Sequence, residues 1–280
     1  MMWLKTYTEK IQRLIDTGSP ESLTYAALEA RLAIERVCYE RLRVAHDYIS
    51  QSDLKRWQPG HVVTTLMREV DPDIADSFTL SISTTPSKAD EKCSIENFSK
   101  YEYVEVGKQV GFDSAKFGKL WNALSSFLHV RMPHTKSDEM KSYAEIGAIR
   151  AKVEEVIAEL RLLEEGTLIS SGIGETVYFD CACGSKNMRR AALLEEGQEV
   201  SCINPECKEK WSVAIEGDDI MFTRQVISVR CHACTETAVF PQGPVLNLKR
   251  NTRVRYVCAA CQADNFLIWK LTHEKKGEAA

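Results

Sequence analysis

Eight of the ten cysteines fall into four close pairs: Cys181-Ala-Cys183, Cys202-Ile-Asn-Pro-Glu-Cys207, Cys231-His-Ala-Cys234 and Cys258-Ala-Ala-Cys261. Two thiolates on one tight turn can aim at a single point, and two such turns complete the tetrahedron of sulfurs that Zn²⁺ prefers. Four pairs therefore predict two structural zinc ions. Taken in chain order, Cys181, Cys183, Cys202 and Cys207 form the first site, and Cys231, Cys234, Cys258 and Cys261 the second. An interleaved pairing would use the same eight ligands. His232 lies inside a knuckle and is an alternative ligand, although four sulfurs already fill a tetrahedron. Disulfides would suit an exported chain, but residues Met1 to Lys10 offer no apolar signal core and no later run is long enough to span a membrane. The expectation is a reducing, cytoplasmic location without membrane contact, where paired cysteines mean metal.

Around the cysteines the sequence reads as short strands: Thr176 to Phe179, Trp211 to Ile215, Val226 to Val229 and Phe266 to Trp269. Between the last two pairs, Val239-Phe240, a turn at Pro241-Gln242-Gly243-Pro244 and Arg253 to Val257 predict a hairpin with the last segment as its return strand. With their knuckles, both units resemble zinc ribbons, three-stranded β modules found in proteins that bind DNA, RNA or other proteins. Units this small carry little apolar surface, so each ion would contribute folding energy, about 10–16 kcal/mol of apparent binding.

Charge separates the two units. Residues 175–221 hold five Lys or Arg against ten Asp or Glu, whereas residues 222–276 hold nine against three. Much of the second excess lies in Lys249-Arg250-Asn251-Thr252-Arg253-Val254-Arg255-Tyr256. Lys249, Arg250, Arg253 and Arg255 can track phosphates while Tyr256 stacks on a base; a merely solvated strand face is the alternative. Lys208, Lys210 and Trp211 form a smaller version on the first unit. The whole chain of 280 residues carries a net charge of −4, so nucleic-acid contact must come from such a local patch.

The remaining chain must fold separately. Ser19-Pro20-Glu21 supplies an N-cap, a first-turn proline and a first-turn acid. No glycine or proline follows until Pro59, while Leu23, Ala27, Ala30, Ile34, Val37, Cys38, Arg41 and Ala45 recur at helical spacing. One long helix with Cys38 as a buried thiol is predicted. A shorter helix follows over His61 to Val70. Strict alternation at Phe78 to Ser83 and Tyr101 to Val106 then predicts a hairpin with a long polar connection, which includes Cys93 as an exposed thiol. Asp113 caps a helix carrying Phe117, Leu120, Trp121, Leu124 and Leu128 that stops at Pro133. The last helix spans about Asp138 to Glu165, with Ile146, Ile149, Val153, Ile157 and Leu160 inward. The fold class is thus α+β: an N-terminal helical bundle with an inserted β-hairpin (1–165), a hinge (166–174) and two zinc ribbons (175–221 and 222–280).

Tyr25 to Glu35 on the long helix, together with Leu124 to His129 near the end of a later one, is similar to the HEPN superfamily over about Ser19 to Glu165. These helical bundles occur in prokaryotic defence systems, and many are metal-independent ribonucleases acting as dimers. The family pattern of arginine followed four to six residues later by histidine occurs here as Arg41 to His46, but in the long helix rather than late in the bundle. His129, Arg131 and His134 are the alternative catalytic cluster, facing Arg31 and Glu35. There a histidine would take a 2′-hydroxyl proton and an arginine would stabilise the phosphorane. Equally, Ser125 and His129 can hydrogen-bond within the bundle while Arg31 and Glu35 form a helix-surface pair.

Three functions fit. A nucleic-acid-binding protein would present the basic arm of the second ribbon, with the helical domain serving as a homodimer or partner contact. A ribonuclease would be aimed at RNA by its ribbons. An adaptor would use zinc only as a staple. No GxxxxGK[ST], HExxH, GxSxG or kinase signature adds another enzyme.

Overall fold

The computed structural model describes residues 2–50, 54, 58–86, 94–130, 135–136 and 145–268. It divides into two compact units, Met1–Ile49 with Leu54–Glu175, and Ser50–Asp53 with Thr176–Ala280. The first is mainly helical and the second is built of small antiparallel hairpins. Among the described residues no helix is long and apolar enough to cross a membrane.

In the first unit, α1 (Met2–Thr17) leads into α2 (Pro20–Val44), where Ser19 accepts the Ser22 N–H at 3.1 Å and Pro20 occupies the first turn. Every residue of the expected α2 stripe is buried, including Cys38 and Arg41. That stripe packs against α1, α5 (Ser114–Ser126) and α6 (Ile146–Glu164). The shorter α3 (Pro59–Glu69) and α4 (Ile95–Phe98) lie between them in the chain. Alanines at positions 26, 27, 30 and 33 of α2 let its neighbours approach closely, while Ile34, Phe117, Leu124, Ile149 and Leu160 fill the centre. Val62, Leu66, Val70 and Ile74 build a second cluster under the end of α2. Ile146, expected inward, is exposed at the first residue of α6. The predicted stretch before Glu145, Pro133 and Cys93 lie outside the described residues.

The inserted hairpin pairs β1 (Phe78–Ser83) with β2 (Tyr103–Gln109), with a register shift between Leu80 and Ser81. Its anchor is a buried polar knot that sequence periodicity does not announce. Arg41 is buried in the α2 stripe and among the described residues pairs with no carboxylate; it donates to Gln109 Oε1 at 2.6 Å and Val110 O at 3.0 Å. Burial pushes its pKa down, to about 10, and pushes the neighbouring Cys38 thiol up to about 12. The Gln109 amide also donates to Ile74 O and Asp76 O, and its Oε1 accepts the Ser170 N–H at 2.9 Å. One glutamine thus joins α2, the approach to β1, the end of β2 and the chain beyond α6. The same contacts revise the hinge expected over 166–174. Lys108 O accepts the N–H groups of Thr167 and Leu168, and Thr167 Oγ1 accepts the Lys108 N–H, so the first part of that stretch is tied alongside β2.

Among the described residues, the second unit consists of three two-stranded hairpins and one three-stranded sheet, an arrangement consistent with two zinc-ribbon-like modules of which only the first contains a three-stranded sheet. β3 (Thr176–Asp180) pairs with β4 (Lys186–Arg190), and β5 (Glu199–Ser201), β6 (Lys210–Glu216) and β7 (Asp219–Arg224) form one sheet in that order. Then β8 (Val226–Arg230) pairs with β9 (Thr237–Pro241), and β10 (Arg253–Val257) with β11 (Asp264–Ile268). The expected pairing of Val239-Phe240 with Arg253 to Val257 does not form. Pro241-Gln242-Gly243-Pro244 opens the short helix α7 (Gln242–Leu246) instead of a hairpin turn. The knuckles themselves reverse the chain, so each strand that enters a knuckle pairs with the one that leaves it.

Replacing Gln109 with Ala should leave the buried Arg41 guanidinium with Val110 O and remove the donor to Ile74 O and Asp76 O. A loss of about 3 kcal/mol in urea unfolding is expected for Gln109→Ala, and a loss under about 1 kcal/mol would show the knot to be dispensable.

Candidate functional site

Each of the four cysteine pairs occupies the connection of a hairpin: β3–β4, β5–β6, β8–β9 and β10–β11. Cys181, Cys183, Cys202 and Cys207 converge so that all four sulfurs lie within 4.8 Å of one another, and so do those of Cys231, Cys234, Cys258 and Cys261. The pairs therefore combine in chain order. His232 stands outside the second cluster, its Nδ1 2.9 Å from Asn265 Oδ1.

The sulfur geometry limits what the clusters can hold. Opposed knuckles place Cys181 and Cys207 at 3.7 Å, Cys183 and Cys202 at 3.7 Å, Cys231 and Cys261 at 3.6 Å, and Cys234 and Cys258 at 3.7 Å. A tetrahedron with metal–sulfur bonds of ~2.3 Å has edges of about 3.8 Å. Both clusters can therefore hold a tetrahedral ion. Donors around them favour a thiolate at one position in each. The Ser185 hydroxyl, helped by its backbone N–H, draws Cys183 down to about 6. The Ala233 N–H, with the Asn265 amide, draws Cys231 down to about 6.

Two asparagines outside the predicted ligand set hold the knuckles in place. In the first module Asn187, fully buried, donates to Ser185 O at 3.0 Å and accepts the Ile203 N–H at 2.8 Å. In the second, buried Asn265 donates to Ala263 O at 3.0 Å and accepts the His232 N–H at 3.0 Å. Each amide reaches from its own knuckle to the residue after the first cysteine of the opposite one. Asn265 Nδ2 also lies 3.4 Å from Cys231 Sγ, so it contacts a ligand atom directly. The signal in the sequence is a shared spacing, Cys183-Gly-Ser-Lys-Asn187 and Cys261-Gln-Ala-Asp-Asn265.

The backbone repeats with equal fidelity. The residue following the second cysteine is left-handed in both knuckles, Gly184 at φ 87° and Gln262 at φ 58°. Their N–H groups donate to Cys181 O at 2.8 Å and Cys258 O at 3.0 Å, and the Cys181 and Cys258 N–H groups donate to Ser185 O and Ala263 O. The asparagine-bearing knuckle comes first in the first module and last in the second. The two modules thus share one pair of knuckles in opposite chain order.

They differ in what surrounds the sulfurs. The first module has an apolar centre of Phe179, Val200 and Val213, with Phe179 stacked 4.4 Å from Phe222 and tilted 5.0 Å from Trp211. Buried Glu209 takes Arg224 in a two-bond ion pair beside it. Half-buried Trp211 packs against that centre, and Lys210 of the small basic patch expected there makes an exposed ion pair with Glu199. From Val226 to Ile268 only Cys231, Cys258 and Asn265 are buried. The second module has almost no core other than its cysteine cluster.

The basic arm is placed differently from the expectation. Lys249 and Arg250 are exposed in a turn closed by the Thr252 N–H to Lys249 O bond, with Asn251 left-handed at φ 63°. Side chains alternate along β10, so Arg253 and Arg255 share one face and Tyr256 takes the other. Tyr256 packs edge-on against Phe240 at 5.0 Å and does not join the arginines. The cross-strand register puts Phe266 opposite Arg255 and Ile268 opposite Arg253 on the arginine face. Phe266 is 55% exposed there. Arg255 pairs with Asp264 at 2.7 Å. Such an exposed contact is worth at most ~1 kcal/mol and leaves the guanidinium accessible.

The expected catalytic cluster is only partly visible. His129 is exposed just beyond α5, whereas Arg131 and His134 lie outside the described residues. Arg31 stacks on Trp121 at 4.2 Å and pairs with Glu35, which accepts the Trp121 Nε1–H at 2.7 Å. The Ser125 hydroxyl donates to Trp121 O. Arg41, half of the Arg41–His46 spacing, is the buried anchor described above, and His46 is exposed in a 3₁₀ turn.

No family model, curated protein or solved structure matches the chain. The HEPN resemblance accordingly gains no support from a family match. Fold and site define an α+β protein with a helical unit and two four-cysteine modules that can bind metal.

Chelation under reducing conditions should unfold the second module first. Amide exchange in β10 and β11 is expected to reach the unfolded rate while β6 and β7 remain partly protected; simultaneous loss would contradict the difference in cores. Asn265→Asp keeps size but loses the donor to Cys231, and should weaken metal retention at that site about 10–100-fold in a chelator competition. Retention equal to the parent would show that Asn265 does not support the ligand.

Proposed function

We propose that this is a zinc-dependent nucleic-acid-binding protein whose second metal module carries the contact face, and whose helical unit serves dimerisation or partner binding. Zinc is the ion that four thiolates at tetrahedral spacing select in a reducing compartment such as the cytoplasm. The observation that carries the reading is the sharing of one exposed face by Arg253 and Arg255, with Lys249 and Arg250 in the turn that leads into it. Guanidinium groups two residues apart on a strand are ~7 Å apart, comparable with successive phosphates along an extended chain. The first module, with its acidic excess, would repel the same ligand and so confine binding to the second.

For the helical unit, Tyr25 and Leu32 lie two turns apart on α2 and are 61% and 41% exposed, which suits a protein contact. The ribonuclease reading finds less support, because Arg31 and Glu35 are engaged with Trp121.

Elemental analysis of freshly purified, reduced protein should return two zinc ions per chain. Arg253→Gln combined with Arg255→Gln should leave that content unchanged, weaken binding at least about tenfold, and flatten the salt dependence of log affinity by about two. A double variant that binds RNA and DNA as the parent does would overturn the proposal.

A further inference from the structure

We infer that the β10–β11 face binds single-stranded nucleic acid by stacking an unpaired base on Phe266, with Arg253 and Arg255 holding the phosphates to either side. The inference rests on the nucleic-acid reading above and adds the strandedness of the ligand and the residue that selects it.

Between Val226 and Ile268 the second module carries three Phe or Tyr rings, Phe240, Tyr256 and Phe266, beside the His232 imidazole that lies against Asn265. Phe240 and Tyr256 engage each other in an edge-to-face contact. Phe266 projects from the opposite face, where its direct cross-strand neighbour is Arg255. Val257 and Ile268, 49% and 48% exposed, flank it along that face. An aromatic ring exposed among aliphatic neighbours costs solvation unless something covers it, and Arg253 and Arg255 on the same face, the latter shared with Asp264, favour an anionic cover.

A single strand supplies both requirements at once, a flat base and a phosphate on either side. A duplex supplies only phosphates and groove edges, because its base faces are already stacked. Cations alone would serve a duplex, and Phe266 would gain nothing. An acidic peptide would satisfy the arginines but offers no flat apolar group at regular spacing. The knuckle keeps the ring in place. Asn265, the residue before Phe266, is locked to Ala263 and His232, so the β11 backbone that presents Phe266 is fixed by the metal site.

The experiment uses the full-length zinc-loaded protein and labelled oligonucleotides of about twelve nucleotides, as single-stranded RNA, single-stranded DNA and the matching duplexes. Fluorescence anisotropy should show tighter binding to single strands than to duplexes. Phe266→Leu retains apolar bulk and Phe266→Trp retains a ring. Expected are a roughly tenfold loss on single strands for Phe266→Leu, parent-like binding for Phe266→Trp, and little change on duplex for either. Comparison of RNA with DNA decides which strand chemistry is preferred. Parent-like single-strand binding by Phe266→Leu would overturn the stacking inference while leaving the cationic face intact. Absence of binding to any oligonucleotide would remove the inference together with the functional reading beneath it. Zinc content and amide exchange in β10 and β11 verify that both variants are folded.

Discussion

The C-terminal unit depends on one constraint: sulfurs from two separate hairpins must meet at a point. Each sheet there has a strand that enters or leaves a knuckle, so position in the unit is measured from the cysteine clusters. Four thiolates at this spacing repel one another strongly, and only a cation at their centre makes the arrangement favourable. The first module adds Phe179, Val200 and Val213 to that attraction. In the second, the cysteine cluster is nearly the entire core, so that most side chains of its hairpins stay at the surface.

A hairpin tip with two cysteines is floppy unless its turn is fixed, and the asparagines supply the fixing. Asn187 and Asn265 each close their own turn, satisfy an N–H of the opposite knuckle and bring the two tips into register. Their order within the modules is reversed, which shows that the geometry belongs to the pair of knuckles and not to chain direction. Gly184 and Gln262 mark the same left-handed position, and only one of them is glycine. Through its neighbour Asn265, this rigidity reaches Phe266 and links the cysteine cluster to the outer face of β11.

In the helical unit, packing and polar bonding divide the work. The α2 stripe was legible from Leu23 to Ala45 because burial on a helix recurs every three or four residues whatever it packs against. Arg41 followed that period although it is charged, and only the structure explains why, through Gln109 and Val110. The hairpin strands of this unit were legible from alternation, but not the attachment of residues 167–170 beside β2. Backbone bonds and single side-chain-to-backbone contacts of that kind leave no periodic pattern in side-chain types.

The cationic hairpin shows where one-dimensional reading ends. Lys249, Arg250, Arg253 and Arg255 were recognisable as a cationic run, with Tyr256 next to them in the chain. Strand geometry turns consecutive side chains to opposite faces, so Tyr256 packs on Phe240 while Phe266, from the neighbouring strand, joins the arginines. The sequence by itself determined the eight paired cysteines, the division into helical and cysteine-rich halves and the location of the charge, since each follows from residue type and local spacing. Which strands pair, which aromatic faces outward and which amides latch the knuckles were decided by tertiary structure, because each depends on a residue brought across from another strand or turn.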